Sequence, residues 1–216
     1  MHSMPFSAQH IRTARLKLRK SDPKLAAVIK EVGPCTLKAR RDRFGSLASA
    51  IVSQQISTSA AATIKQRVLD AISEQRETPV KRGFPWCAIT MAGFSIEDYR
   101  ELGVSRQKAG YILDLSKKVN DGSLDLASIS KLDDEAVIEQ LIQIKGIGRW
   151  TAQMFLMFSL ARMDVLPVDD LGIKNGFQKV YELDELPNKE QMFEIAEPWK
   201  PYRTIASWYL WRSLEQ

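Results

Sequence analysis

Two stretches of the 216-residue sequence carry residue types that can do chemistry at a usable spacing. The first is Leu141-Ile142-Gln143-Ile144-Lys145-Gly146-Ile147-Gly148-Arg149-Trp150-Thr151-Ala152, where two glycines one residue apart let the backbone reverse tightly. Ile147 can pin that turn to a core, and the amides of Gly148 and Arg149 then open a helix whose first N–H groups lack an intrahelical acceptor. Such amides bind phosphate. The second is Leu166-Pro167-Val168-Asp169-Asp170-Leu171-Gly172, in which a proline stiffens the approach to a pair of carboxylates at a helix start. Both stretches also have a plainer reading. Gly-x-Gly can be a simple helix-to-helix turn, and either aspartate can cap the helix that ends near Tyr181. A cap accounts for one acid of the two and leaves the other for chemistry.

The elements that must position these residues are helices. Glycine and proline are sparse, 11 and 9 residues, and apolar residues recur at three and four rather than at two. Phe44, Leu47, Ile51 and Val52 mark one amphipathic helix, and Ala60, Ile64, Val68 and Ile72 mark a second after the polar break Ser53-Gln54-Gln55. The stretch 77–91, with Pro79, Gly83 and Pro85, reads as a loop leading into short helical pieces. Ser105 caps a helix that runs to the stop Asn120-Asp121-Gly122, and Asp133 or Asp134 caps one that turns Val137, Ile138, Leu141 and Ile142 inward. Beyond the glycines a helix is expected over 149–162, broken by Pro167. The last third adds two or three more helices and ends in the aromatic run Trp208-Tyr209-Leu210-Trp211, which reads as core packing. The sequence holds no internal repeat and no low-complexity segment.

Hydrophobic residues make up 44% and charged residues 26%, the composition of an ordinary globular chain. The net charge of +5 is unevenly placed. Residues 12–43 hold eleven lysines and arginines against Asp22, Glu31 and Asp42, a net of +8, so the remainder is about −3. A basic region of this kind suits a polyanion, through counterion release, and equally suits a solvated helix face. No stretch approaches the roughly 18 to 20 apolar residues of a bilayer span, and no secretory signal is evident. Cys35 and Cys87 are far apart, with no Cys-x-x-Cys or Cys/His clustering from which to build a zinc site or an iron–sulfur cluster. An intracellular setting, in cytoplasm, nucleoid or nucleus, is expected.

Taken together, the glycine turn, the loop and the acid resemble the helix-hairpin-helix of the base-excision DNA glycosylase superfamily, over roughly residues 44–211. The resemblance implies an all-α fold of two helical lobes, a hairpin lobe over 38–160 and a second built from 1–37 and 161–216, with a base-binding cleft between them. In the family pattern the catalytic acid is the second residue after the proline, which places it on Asp169, with Asp170 as a neighbour able to orient it. Lys145, Gly146, Gly148, Arg149 and Thr151 would meet the DNA backbone. The polar turn Ser53-Gln54-Gln55-Ile56-Ser57 matches the place from which these enzymes wedge a side chain into the gap left by an everted base; the wedge would be Gln55, or failing that Ile56. By position, the main-chain carbonyls of Ile142, Ile144 and Ile147 would hold a monovalent cation, Na+ or K+, that bridges to phosphate.

The branch of the superfamily follows from departures. Members that also cut the strand carry a nucleophilic lysine two residues after the second glycine, where this chain has Trp150. A monofunctional enzyme is implied, without an iron–sulfur cluster. Lys145 stands where a proline is common and more readily meets phosphate or solvent than serves as nucleophile. Trp150 and the run Glu197-Pro198-Trp199-Lys200-Pro201-Tyr202-Arg203 resemble the 3-methyladenine DNA glycosylase II branch. Its alkylated purines are cationic, and an aromatic face attracts such a base by about 1–2 kcal/mol per ring. Trp150 and Trp199, with Tyr202 and Met154 behind them, are the expected pocket. Double-stranded DNA with damaged bases is the expected partner, bound by a monomer. Two other readings fit the same residues: a non-catalytic helix-hairpin-helix module for distorted DNA, and a glycosylase for oxidised, deaminated or mismatched bases.

Overall fold

The computed structural model describes residues 6–75 and 85–215. Among them there is no strand, and the chain is all-α. In order the helices are α1 (Ala8–Ser21), α2 (Pro23–Val32), α3 (Arg43–Ser53), α4 (Thr58–Glu74), α5 (Ala88–Ala92), α6 (Ile96–Glu101), α7 (Arg106–Asn120), α8 (Asp134–Ile142), α9 (Arg149–Phe158), α10 (Leu171–Tyr181), α11 (Lys189–Ile195) and α12 (Arg203–Ser213). Most starts are fixed by a short polar side chain that accepts from an otherwise unpaired N–H. Ser57 does this for α4, Ser105 for α7, Asp133 for α8 and Asp170 for α10. The break Ser53-Gln54-Gln55 separates α3 from α4 as the periodicity suggests. Residues 77–84 of the expected loop lie outside the described residues. Helix α9 ends at Phe158, earlier than the expected 162, because Ala161 turns to φ +56° and the Arg162 N–H returns to the Leu156 carbonyl.

The chain divides into two compact units. One spans Arg40–Phe155; in it α3 lies against α4 and α7, while α5 and α6 also pack on α7. Its buried residues include Leu47, Ile51, Val68, Ile112, Leu115 and Leu141. The other joins residues 1–39 to 156–216, with α12 packed on α2 and α10. Its core holds Leu18, Leu25, Ile29, Phe177, Trp199, Ile205 and Tyr209.

A buried acid organises this second core. Asp22 is 8% exposed and caps α2 through Leu25 N–H; its other oxygen takes the Tyr181 hydroxyl and, at 2.8 Å, the Trp199 indole N–H. The Trp199 ring stacks on Phe177 with centroids 5.2 Å apart. A buried polar group is tolerated when its partners are complete, and three donors converge here on one carboxylate.

Candidate active site

In the unit Arg40–Phe155 the candidate element is a piece of main chain. Gly146 lies at φ +80°, and a Cβ there would stand 2.1 Å from the Tyr111 ring. Only glycine fits that turn. Ile144 and Ile147, both buried, anchor it from inside. Three polar contacts hold it from the side. The Gln54 amide donates to the Gly146 carbonyl at 2.7 Å, Lys145 N–H donates to Asp114 Oδ2 at 3.0 Å, and Asp114 is in turn bonded to Lys118 Nζ at 2.8 Å. Burial alone would raise the Asp114 carboxyl, but the bonds from Lys118 and Lys145 outweigh it and hold it below its ordinary value. Lys108 performs the matching task on the polar turn, donating from Nζ to the carbonyls of Val52 at 2.9 Å and Gln54 at 2.6 Å, with its own pKa lowered by burial. Gln54, Lys108 and Asp114 were not singled out by sequence reasoning; each acts on residues far away in the chain, where no local pattern reaches.

Gly148 differs from Gly146. A Cβ at 148 would meet nothing within 4 Å, so neither conformation nor packing asks for glycine there. Lys145, Arg149 and Trp150 are exposed beside it, Arg149 in an ion pair with Glu135, whereas Thr151 is buried and offers no side chain at the surface. Trp150, 45% exposed, and half-buried Met154 share one face of α9 by their spacing of four. Gln55 is exposed with φ +54°, a left-handed conformation in the polar turn, and Ile56 follows it, also exposed. The carbonyl of Ile144 accepts from Ile147 N–H at 3.0 Å, which leaves it one lone pair.

In the other unit the candidate element is a side chain. The loop 161–166 is stitched to the start of α12. Arg203 forms a two-pronged pair with Asp164 at 2.7 and 2.9 Å, and Thr204 Oγ1 donates to the Arg162 carbonyl while accepting from Val165 N–H. Leu166, Pro167 and Val168 are buried, and Asp170 N–H closes a turn onto the Pro167 carbonyl at 3.0 Å. The two acids then part. Asp170 is half-buried, and its Oδ1 accepts from Ile173 N–H at 2.8 Å and from the Trp211 indole N–H at 2.9 Å. A Cβ on Gly172 would stand 3.0 Å from both Asp170 Oδ1 and Trp211 Cδ1, so glycine makes room for that bond. Trp211 itself lies against Phe158, centroids 5.9 Å apart. Asp169 is on the surface of the turn, 40% exposed at the side chain, with Lys189 Nζ 2.8 Å from its Oδ1.

The family resemblance implies Asp169 as the acid; in the structure the carboxylate with two hydrogen-bond donors and an aromatic neighbour is Asp170. The expected aromatic pocket changes as well. Trp199 is fully buried in the core, bonded to Asp22 and stacked on Phe177, so no face is left for a base. Tyr202 lines an open cleft of about 360 Å³ with Lys17, Lys20 and Lys200, and Lys17 Nζ lies 5.6 Å from its ring centroid. A ring already facing a lysine disfavours a second cation. Trp208 and Tyr209 are buried as expected, but Trp211, expected in the core with them, is the aromatic bonded to the acid. Its indole N–H needs a partner when half-buried, and nothing near it in sequence names Asp170 as that partner.

The fold and these two turns define a helical protein with a glycine hairpin before one helix and a capping acid before another. The chain belongs to the HhH-GPD superfamily of base excision DNA repair proteins, whose family model matches residues 48–201. It is similar in structure to a DNA-3-methyladenine glycosidase of Bacillus halodurans, 35% identical, with 92% of this chain and 88% of that one covered and a TM-score of 0.79. A Schizosaccharomyces pombe 3-methyladenine DNA glycosylase, solved in complex with abasic DNA, is 31% identical over 94% of this chain and 97% of that chain, with a TM-score of 0.77. In sequence, the alkylbase DNA glycosidase-like protein mag2 of S. pombe is 31% identical over 93% of this chain and 92% of its own length.

Proposed function

We propose that this protein is a monofunctional DNA glycosylase that hydrolyses the N-glycosidic bond of alkylated purines, such as 3-methyladenine and 7-methylguanine, with Asp170 as the carboxylate facing C1′. The observation that carries the reading is the pair of hydrogen bonds that Asp170 Oδ1 accepts from Ile173 N–H and the Trp211 indole, which sets the acid at the positive end of α10 before any substrate arrives. The names of the relatives supply the substrate class.

The steps follow from the residues. Amides at Gly148 and Arg149 receive a phosphate of the damaged strand, and Gly148 is bare so that the phosphate can come close. Lys145 and Arg149 add charge. The main-chain oxygens of Ile142, Ile144 and Ile147 are hard, neutral donors that would hold a monovalent cation, which would supply positive charge at the hairpin. Gln55, already presented in a left-handed turn, fills the gap left by the everted nucleotide, whose flipping costs less when the base is damaged. The extruded purine carries positive charge and is drawn to an electron-rich aromatic face, which Trp211 offers beside Asp170. Because that base leaves as a neutral molecule, it needs little acid assistance. Asp170 stabilises the oxocarbenium that develops at C1′ and receives the proton of the attacking water, so that free base and an abasic site are released. Trp150 occupies the place of a lyase lysine, and no strand cleavage follows. The protein works on double-stranded DNA, as a monomer, in whichever compartment of the cell holds it.

The test is a pair of isosteric variants on methylated DNA. Asparagine caps a helix as well as aspartate does, so Asp170→Asn keeps the fold while removing the charge. Release of methylpurine is expected to fall by about 10²–10³-fold, with Asp169→Asn losing far less. A reversed order would return the acid to Asp169, and full activity in both variants would defeat the enzymatic reading. Excision profiling across alkylated, oxidised and deaminated bases decides the substrate class.

A further inference from the structure

The contact between Lys189 and Asp169 has no part in the reaction above, yet it lies one residue from the carboxylate that acts. Lys189 opens α11, and its Nζ is 2.8 Å from Asp169 Oδ1; both side chains are substantially exposed, 54% and 40%. Asp169 is held there by its neighbours, because Pro167 and Val168 are buried and Asp170 is tied to Ile173 and Trp211. An exposed carboxylate at this point is a liability for a DNA enzyme. The nucleotide whose C1′ meets Asp170 carries a phosphate on each side, and a neighbouring anion repels them both. An ammonium on a flexible four-carbon stem cancels that repulsion and can pass from the carboxylate to a phosphate when the strand arrives. The exchange is easy because the pair is solvated on both sides.

We infer that Lys189 is a DNA-phosphate contact of the damaged strand, held beside the reactive acid by Asp169 until DNA is bound. The inference rests on the reading of Asp170 as the acid that meets the nucleotide. Lysine here positions the strand and touches none of the reacting atoms.

The experiment measures binding of the full-length protein to a duplex with a tetrahydrofuran abasic analogue over a series of salt concentrations, for wild type, Lys189→Met and Lys189→Arg. One lost phosphate contact lowers the slope of log affinity against log salt by about 0.9, and affinity near 0.1 M salt by roughly five- to tenfold. Lys189→Met is expected to show both changes and Lys189→Arg to restore the slope. On methylated DNA the Met variant's loss falls on KM rather than kcat. An unchanged slope in Lys189→Met overturns the inference. So does a faster kcat in that variant, which would mean that the ammonium stays on Asp169 and opposes the developing cation. Borohydride trapping of Lys189 on abasic DNA would also overturn it, by making the lysine a nucleophile. Since the slope is a binding measurement, a wild type that releases no alkylpurine would sink the enzymatic reading and leave the lysine's role to be read from the slope.

Discussion

The turn at Gly146 and the turn at Pro167–Asp170 are both tight and both open a helix, but they divide labour between main chain and side chain in opposite ways. In the function proposed above, the main chain is the working part at the first. Side chains from elsewhere in its unit, Tyr111, Gln54 and Asp114, hold it still. At the second, the same proposal makes a carboxylate the working part, and Ile173 N–H, the Trp211 indole and buried Leu166 and Val168 hold it still. Recognition of a uniform phosphate backbone needs amides at fixed spacing, which any sequence can supply once the turn is made. Stabilisation of charge at a single carbon needs one particular group, so there the sequence itself must specify the residue.

That contrast can be broken most severely at the glycines. In Gly146→Ala the new methyl meets the Tyr111 ring, and the residue must keep a left-handed φ. A left-handed conformation costs about 1–2 kcal/mol and overpacking about 1–3, so denaturant unfolding is expected to show a loss of about 3 kcal/mol. The same substitution at Gly148 points into open space. Thermal stability is expected to stay unchanged or rise slightly, while affinity for duplex DNA falls; a Gly148→Ala protein that binds DNA normally would remove the phosphate from that turn.

A smaller effect sharpens the other side of the comparison. Asp170→Ala removes the cap of α10 and leaves the half-buried Trp211 N–H without its acceptor. The two losses together are expected to lower the free energy of unfolding by about 2 kcal/mol in denaturant titration, unlike Asp170→Asn, which keeps the cap. Equal stability of Ala and Asn variants would mean that the orientation of the acid is set by something other than these two bonds.

The smallest effect is a pH dependence at the hairpin. The Asp114 carboxyl lies below its ordinary value of 3.8 in the fold, through Lys118 and the Lys145 N–H and against the effect of burial. Its contribution is therefore whole at neutral pH. It is lost as pH falls from 3.8 through the lower folded value, because the unfolded chain takes up the proton first. Asp114→Asn is expected to flatten the acid limb of the stability curve, followed by unfolding at a series of acidic pH values. An unaltered limb would show that the anchor under Lys145 carries no charge of consequence.

Much of this was legible in the residues. The helices around Gln54 and before Gly146 follow from the three-and-four spacing of Ile51, Val68, Val137 and Leu141, all of them buried. The caps at Ser105, Asp133 and Asp170 are local chemistry between residues three apart. Other features were not legible. Ala161 in a left-handed turn ends α9 early, and alanine gives no warning of that as glycine would. Trp199 stands in a polar, proline-flanked run that resembles a pocket lining, yet Asp22, far away in the chain, draws its indole into the core.

From its own residues the sequence determined that the chain is helical, where a tight glycine turn must form, and that a carboxylate pair opens α10. Those outcomes depend on spacing within a few residues, where periodicity, glycine and capping act directly. Only the tertiary structure decided which acid is fixed by Trp211, which is paired with Lys189, and which tryptophans pack inside. Each of those outcomes depends on a partner brought close by folding, and the energy that selects a partner comes from burying or satisfying a polar group, which no separation along the chain encodes.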